Sequence, residues 1–176
     1  MKRRSSLTIF IFSFIVLLSA CSDTPSFDVY KGSTLKIAVI GETPEIKEDT
    51  IKFIEMSFNE LETTKRSLDA VIVTEENLTE ASKKQYANVY LHSTIPFFFI
   101  SANSVAPFYI EENTFNKDWQ WSPGVNYAVG ILPSKEEDAV NSVGYGLYND
   151  ELKVEHVKDI YSRIFTTISE LESAGL

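Results

Sequence analysis

Cysteine, histidine, glycine and proline are all scarce in this chain. Its 176 residues include one Cys, two His, seven Gly and six Pro. The single Cys excludes an intramolecular disulfide, a cysteine-based zinc site and an iron–sulfur cluster. Two His are too few for a histidine-rich metal centre. Basic charge is short as well: 16 Lys and Arg stand against 25 Asp and Glu, a formal net charge of −9, which argues against nucleic acid as a partner. No apolar run reaches the roughly 20 residues that span a bilayer comfortably. The common catalytic and phosphate-binding signatures are missing too. There is no G-x-x-x-x-G-K-[ST], no G-x-S-x-G, no H-E-x-x-H and no calcium loop, and the turn after the first strand reads Gly41-Glu42-Thr43-Pro44 rather than G-x-G-x-x-G. No cofactor and no metal are expected.

What is present suffices for one folded domain. The chain is 44% hydrophobic and holds 12 Phe and 8 Tyr, enough to fill a core and to set disorder aside.

The first 21 residues read as an address. Lys2, Arg3 and Arg4 make a positive start, and Leu7 to Leu18 is apolar except for Thr8 and Ser13. That is the pattern of a secretory signal segment. Leu18-Ser19-Ala20-Cys21 follows, with small residues before the only Cys. This box resembles that of bacterial lipoproteins. The resemblance implies cleavage before Cys21, diacylglycerol on its sulfur and a further acyl chain on its new amino group. Two or more acyl chains make a stable anchor where one is marginal. The rest of the chain, with KIAVIGETPEI, LDAVIVTEENLTEAS, IPFFFIS and YGLYND, is similar in texture to small uncharacterised lipoproteins of Bacillus-type Gram-positive bacteria. That likeness implies the outer face of the cytoplasmic membrane, or a periplasm-facing membrane in a Gram-negative host. It carries over no catalytic residue.

The expected organisation is therefore a signal peptide over residues 1–20, a lipidated Cys and tether over 21–34, and one α/β domain over 35–176. Cleavage removes three basic residues and no acid, leaving 13 basic against 25 acidic residues and a formal charge of −12. Such a domain is repelled by anionic lipid and is expected to stand off the membrane on its tether.

Strands and helices alternate in the domain. Leu35–Gly41, Leu68–Thr74 and Pro96–Ile100 are short, nearly continuous apolar runs, the pattern of strands buried on both faces. Thr43-Pro44-Glu45 is a helix-start signal, and Ile51, Ile54, Phe58 and Leu61 recur at helical spacing, so a helix is expected from Pro44 to about Glu62. Asn77 with Glu80 resembles a capping box for a second helix ending near His92. These segments predict a βαβαβ start with the first strand between the other two. The fold expected is a single-domain three-layer sandwich with a mostly parallel, flavodoxin- or Rossmann-like sheet. Ala102–Gly124 reads as a long loop, with a short strand at Phe108–Glu111. Asn126–Leu132 is a fourth strand, Ser134 with Glu137 a capping box for one helical turn, and Val143–Tyr148 an edge strand. Val154, Val157, Tyr161, Ile164, Ile168 and Leu171 mark a long C-terminal helix that docks on the sheet or, alternatively, pairs with a partner helix.

Two constellations are candidate sites. Ligands of open parallel sheets bind beyond the carboxyl ends of the strands. Those ends supply Glu42 and Thr43, Thr74 and Glu75, and Ser101 and Asn103, which suit a small polar ligand. The alternative is that Thr43 and Asn77 cap helices and the others are solvated loop ends. The second constellation is Trp119 and Trp121, two apart in a polar loop. Exposed, they would be recognition aromatics; packed, they would plug the end of the core. His92 and His156 read as surface or structural residues. The acidic clusters Glu111-Glu112 and Glu136-Glu137-Asp138 read as solvated.

The expected function is that of a cell-envelope lipoprotein, a non-enzymatic binding or interaction domain tethered to the membrane through Cys21. Its partner would be an envelope protein or a small polar ligand. The alternatives are a small envelope hydrolase, with Glu42 or Glu75 as base, and the ligand-binding component of a transport system.

Overall fold

The computed structural model describes residues 26–63, 67–110, 112–136 and 139–175. Cys21 and the signal segment lie outside the described residues, as do Glu111, Glu137 and Asp138. Six strands form one mixed sheet: β1 (Leu35–Ile40), β2 (Ile51–Glu55), β3 (Ala70–Val73), β4 (Phe97–Ile100), β5 (Ala128–Leu132) and β6 (Asn141–Tyr145), in the spatial order β2-β1-β3-β4-β5-β6. The first four are mutually parallel. β5 runs antiparallel to β4, and β6 antiparallel to β5.

The apolar runs form β1, β3 and β4 because they are buried on both faces. Every residue of β3 and β4 is buried, as expected of strands covered by helices on either side. Alternation then sorts their side chains. Ala38, Ile40, Val71, Val73, Phe97 and Phe99 join the core under α1 (Phe58–Thr63), α2 (Leu78–Ala81), α3 (Lys84–Leu91) and α4 (Ala106–Tyr109). Leu35, Ile37, Ala70, Ile72, Phe98 and Ile100 join the core under α5 (Val154–Ser173), through Ile160, Ile164, Phe165 and Ile168. The result is three layers, with the C-terminal helix docked on the sheet.

Several expectations need correction. The helix expected from Pro44 to Glu62 is absent. Residues 41–50 form an irregular connection, Ile51–Glu55 is edge strand β2, and only Phe58–Thr63 is helical. Pairing with β1 (Leu35 beside Ile51, Ile37 beside Phe53) decides the matter. It places Ile51 and Phe53 on the α5 core and Ile54 on the other, which is alternation rather than helical periodicity. The strand order changes accordingly: β1 lies between β2 and β3, so the Leu68–Thr74 and Pro96–Ile100 runs are neighbours and do not flank it. The connection 41–50 crosses the α5 face, where Ile46 packs and Glu48 meets Ser162. The connection after β2 crosses the opposite face through Phe58. Crossovers that leave β1 and β2 in opposite directions share one hand only if they use opposite faces.

Local signals were diverted as well. Thr43 caps nothing; its hydroxyl donates to Glu55 Oε1 at 2.9 Å. Asn77 forms no side-chain cap, and its amide donates to Ile40 O. The expected second helix is broken into α2 and α3 at Ser82–Lys83. Of the strand expected at Phe108–Glu111, Phe108 and Tyr109 belong instead to the helical turn α4, with Pro107 in its first turn. The Ser134 hydroxyl accepts the Glu136 amide at 3.1 Å, and its expected cap partner Glu137 lies outside the described residues. Part of the expected tether is packed on the domain: Tyr30 is buried, and the Phe27 ring sits edge-on to both Tyr148 and His156.

Candidate functional site

The carboxyl ends of β1, β3 and β4 lie side by side and present Gly41, Thr74 and Ser101. Between β1 and β3 the outgoing connections diverge to opposite faces, the position at which open α/β sheets form their crevice. Here the chain fills that crevice itself. The Thr74 hydroxyl donates to Ile40 O at 3.1 Å and to Glu76 Oε1 at 2.6 Å, and the Glu42 amide donates to the same Glu76 oxygen at 3.1 Å. Gly41 has φ +121°, a conformation L side chains rarely adopt, and a Cβ there would lie 1.7 Å from Thr74 Oγ1. Only glycine permits this approach. Partial burial pushes the Glu76 carboxyl up, but the Thr74 hydroxyl and the Glu76 and Glu42 amides outweigh it and hold the group below the ordinary carboxylate value.

The other half of the strand-end residues joins the tryptophan loop. Ser101 adopts a left-handed φ of +67°, uncommon outside glycine. Its amide donates to Tyr127 O at 2.7 Å, and its carbonyl accepts the Trp121 amide at 2.8 Å. Ala102 bridges Gln120 in antiparallel fashion. The Asn103 amide group donates to Asp118 O at 2.9 Å and Gln120 O at 3.1 Å. Gln120 donates in turn to Glu75 Oε1 at 2.5 Å. Residues 118–121 are thus laced to the segment that follows β4 by one antiparallel bridge and these hydrogen bonds.

Both indoles are half-buried. Trp119 ends a short 3-10 turn, Lys117–Trp119, capped by the Asn116 side chain. Trp121 packs edge-on to Tyr127 against the α5 core, and its indole N–H is buried without an acceptor among the described residues. Burial, together with the Glu75 charge, pushes the Tyr127 phenol above its ordinary value, so it stays protonated at neutral pH.

The structure thus gathers the sequence candidates into two groups. Glu42 and Thr74 stand at the β1–β3 crevice, and Thr43 is drawn to the end of β2 by Glu55; Glu75, Ser101, Asn103, Trp119 and Trp121 form the laced loop. Glu76, Gln120 and Asn126 complete these groups and were not singled out from sequence. Glu76 carried a signal, since it neighbours Glu75 at the same strand end. Beside the laced loop lies an open depression of about 540 Å³ lined by Asn103, Gly124, Val125, Asn126, Gly146 and Asp150. Its amides and carboxylate suit hydrogen bonding to a polar surface. A larger cavity of about 710 Å³ sits at the opposite end of the sheet, between Leu91–Thr94 and Pro133–Glu136, away from every candidate residue. Among the described residues no three metal-ligating side chains converge, and no helix is long and apolar enough to cross a membrane. Compared with protein-family models, with curated proteins and with solved structures, the chain matches none.

Proposed function

We propose that the chain is a cell-envelope lipoprotein, held at the extracytoplasmic face of a membrane by acyl chains on Cys21, whose α/β domain is a binding module. The observation that carries the reading is the ordered series Lys2–Arg4, Leu7–Leu18 and Leu18-Ser19-Ala20-Cys21, followed within six residues by packed structure at Phe27. The address and the domain thus abut.

The strand ends favour binding over hydrolysis. A general base needs a carboxylate held in a cleft and free to take a substrate proton; Glu75 is engaged by Gln120, and Glu42 is exposed while the crevice beside it is filled by Glu76. We read β2-β1-β3-β4 as a flavodoxin-like half-sheet, with the antiparallel pair β5–β6 completing it. Its ligand crevice is taken by the chain's own acid, which moves recognition to the rim formed by Asn103 and Asn126. That rim suits an envelope protein or a small polar ligand, including the cargo of a transport system.

Mass spectrometry of the membrane fraction tests the reading. The mature N-terminus should be Cys21 with acyl mass added, and Cys21→Ala should block processing. A wild-type protein that remains soluble and unacylated in cells overturns it.

A further inference from the structure

Four large hydrophobic side chains are exposed among the described residues: Val125, Tyr148, Leu152 and Val154, at 39%, 44%, 60% and 61%. They are not scattered. Tyr148, Leu152 and Val154 fall within seven residues at the entry to α5, and Val125 shares a depression with Asp150 in the same turn. Single exposed apolar residues need no explanation, whereas a cluster at one place does.

One member of the cluster, Tyr148, touches the segment by which the chain arrives from Cys21. The Phe27 ring lies 5.7 Å from that of Tyr148 and 5.4 Å from that of His156, and Lys47 Nζ stands 5.4 Å over its centroid. Further along, the Tyr30 amide donates to the buried Glu48 carboxylate. The incoming segment is therefore fixed to the domain from Phe27 onward. Only five residues, 22–26, separate Phe27 from Cys21, a reach of at most about 22 Å when fully extended. A loose tether would let the domain rotate; this one holds one end of the domain against whatever carries the anchor. Two of the acids at that end are paired, Glu151 with Lys153 at 2.6 Å and Glu155 with Lys47 at 2.8 Å.

Building on the lipoprotein reading, we propose that Tyr148, Leu152 and Val154 rest in the interfacial layer of the bilayer that holds the Cys21 acyl chains, so that the domain is docked in one orientation. The occupant is a lipid surface. The chain's net negative charge disfavours anionic headgroups, so the contact is apolar and strongest on zwitterionic lipid. The acyl anchor supplies a high effective concentration, which lets a small apolar contact persist. The orientation leaves the far cavity near Leu91–Thr94 pointing away from the membrane.

Hydrogen exchange read by mass spectrometry tests this. Processed protein purified from membranes is reconstituted in phosphatidylcholine vesicles and compared with the same domain expressed without residues 1–21, which carries neither the signal segment nor the acylated Cys. Amides of residues 147–154 should exchange at least fivefold more slowly on vesicles, while residues 91–94 and 133–136 should not change. A Leu152→Asp, Val154→Asp double variant should lose the protection and keep its melting temperature, since both side chains are exposed. Equal exchange of 147–154 on vesicles and in solution overturns the docking. So does protection that appears in the soluble chain on raising its concentration, which would assign the patch to a second copy. The same spectra report the mass on Cys21. Its acyl mass separates the two ideas: acyl present without protection sinks only the docking, and acyl absent sinks the anchor as well.

Discussion

The Ser162 hydroxyl on α5 donates a hydrogen bond to the buried carboxylate of Glu48, a residue 114 positions earlier in the connection between β1 and β2. Glu48 also accepts from the Tyr30 and Lys47 amides, at 3.2 and 3.1 Å. One acid therefore ties the incoming segment, the β1–β2 connection and the C-terminal helix together. Buried carboxylates are tolerated only when their oxygens are satisfied in this way. Glu48→Gln keeps the shape but loses the charge that strengthens these bonds, and should lower unfolding stability by about 1–3 kcal/mol. Ser162→Ala should cost less, since it removes one donor of three. Urea denaturation of the two variants would rank them; a neutral Glu48→Gln would show that the clasp contributes nothing.

At the β1–β3 crevice the prediction concerns pH. Hydrogen bonds from Thr74 and two amides hold the Glu76 carboxyl below its ordinary value of 4.5 despite the opposing effect of burial. A depressed folded-state value means stabilisation that is fully present above the unfolded value and is lost as pH falls through the folded one. The wild type should therefore lose this contribution progressively below about 4.5, and Glu76→Gln should not. The stability gap between the two, measured by denaturation across pH, should narrow on acidification. Gly41→Ala attacks the same place by geometry. Its positive φ alone costs on the order of 1–3 kcal/mol, and its Cβ would displace the Thr74 hydroxyl as well.

Phe98 and Gly130 make a third case. They are register partners across the antiparallel β4–β5 pair, and a Cβ at Gly130 would meet the Phe98 ring at 2.7 Å. The glycine is there to seat the ring. Phe98→Ala should cost roughly 3–5 kcal/mol as a buried aromatic truncation, and Gly130→Ala about 1–3 kcal/mol by overpacking. Combining them should be less damaging than the sum, because the smaller residue at 98 frees space for the methyl at 130. A fully additive double mutant, measured by thermal unfolding, would contradict the packing described.

Sequence reading succeeded where one environment dictated every residue. Residues 35–40, 70–73 and 97–100 are saturated with apolar side chains because both faces of those strands are covered, and α5 shows a clean apolar stripe because one of its faces is. It failed where partners supply the order. In Ile51–Glu55, Lys52 and Glu55 are exposed and the apolar residues are half-buried, so the strand shows no saturated run; Ile51, Ile54, Phe58 and Leu61 happen to fall at helical spacing. The Thr43-Pro44-Glu45 signal was genuine local chemistry with a different outcome, since Glu55 supplied a better partner for the Thr43 hydroxyl. Strand direction was equally illegible: nothing in Ala128–Leu132 distinguishes an antiparallel neighbour from a parallel one. For the candidate site, residue types were readable but grouping was not. Glu75 and Asn103 meet the tryptophan loop only because Gln120 and the backbone of residues 118–121 return to the end of β4.

Trp121 offers the sharpest test of that loop. Its ring is packed against Tyr127, with centroids 5.8 Å apart at 76°, while its indole N–H is buried and finds no acceptor among the described residues. An unsatisfied buried donor costs about 1–3 kcal/mol, whereas the ring's apolar contacts stabilise. The two contributions separate by substitution. Trp121→Phe keeps an aromatic ring at the edge of Tyr127 and removes the orphan N–H, so stability should hold or rise. Trp121→Ala removes both, and should destabilise by less than the ~3–5 kcal/mol typical of a fully buried aromatic, because the residue is only half-buried. Trp119 behaves differently: its backbone carbonyl takes the Asn103 amide at 2.9 Å, a bond that survives truncation, so Trp119→Ala should cost less than Trp121→Ala. Thermal unfolding of the three variants gives the order. If Trp121→Phe proved as damaging as Trp121→Ala, the indole N–H would have to be bonded after all, and a partner or ligand atom at that nitrogen would become the first thing to look for.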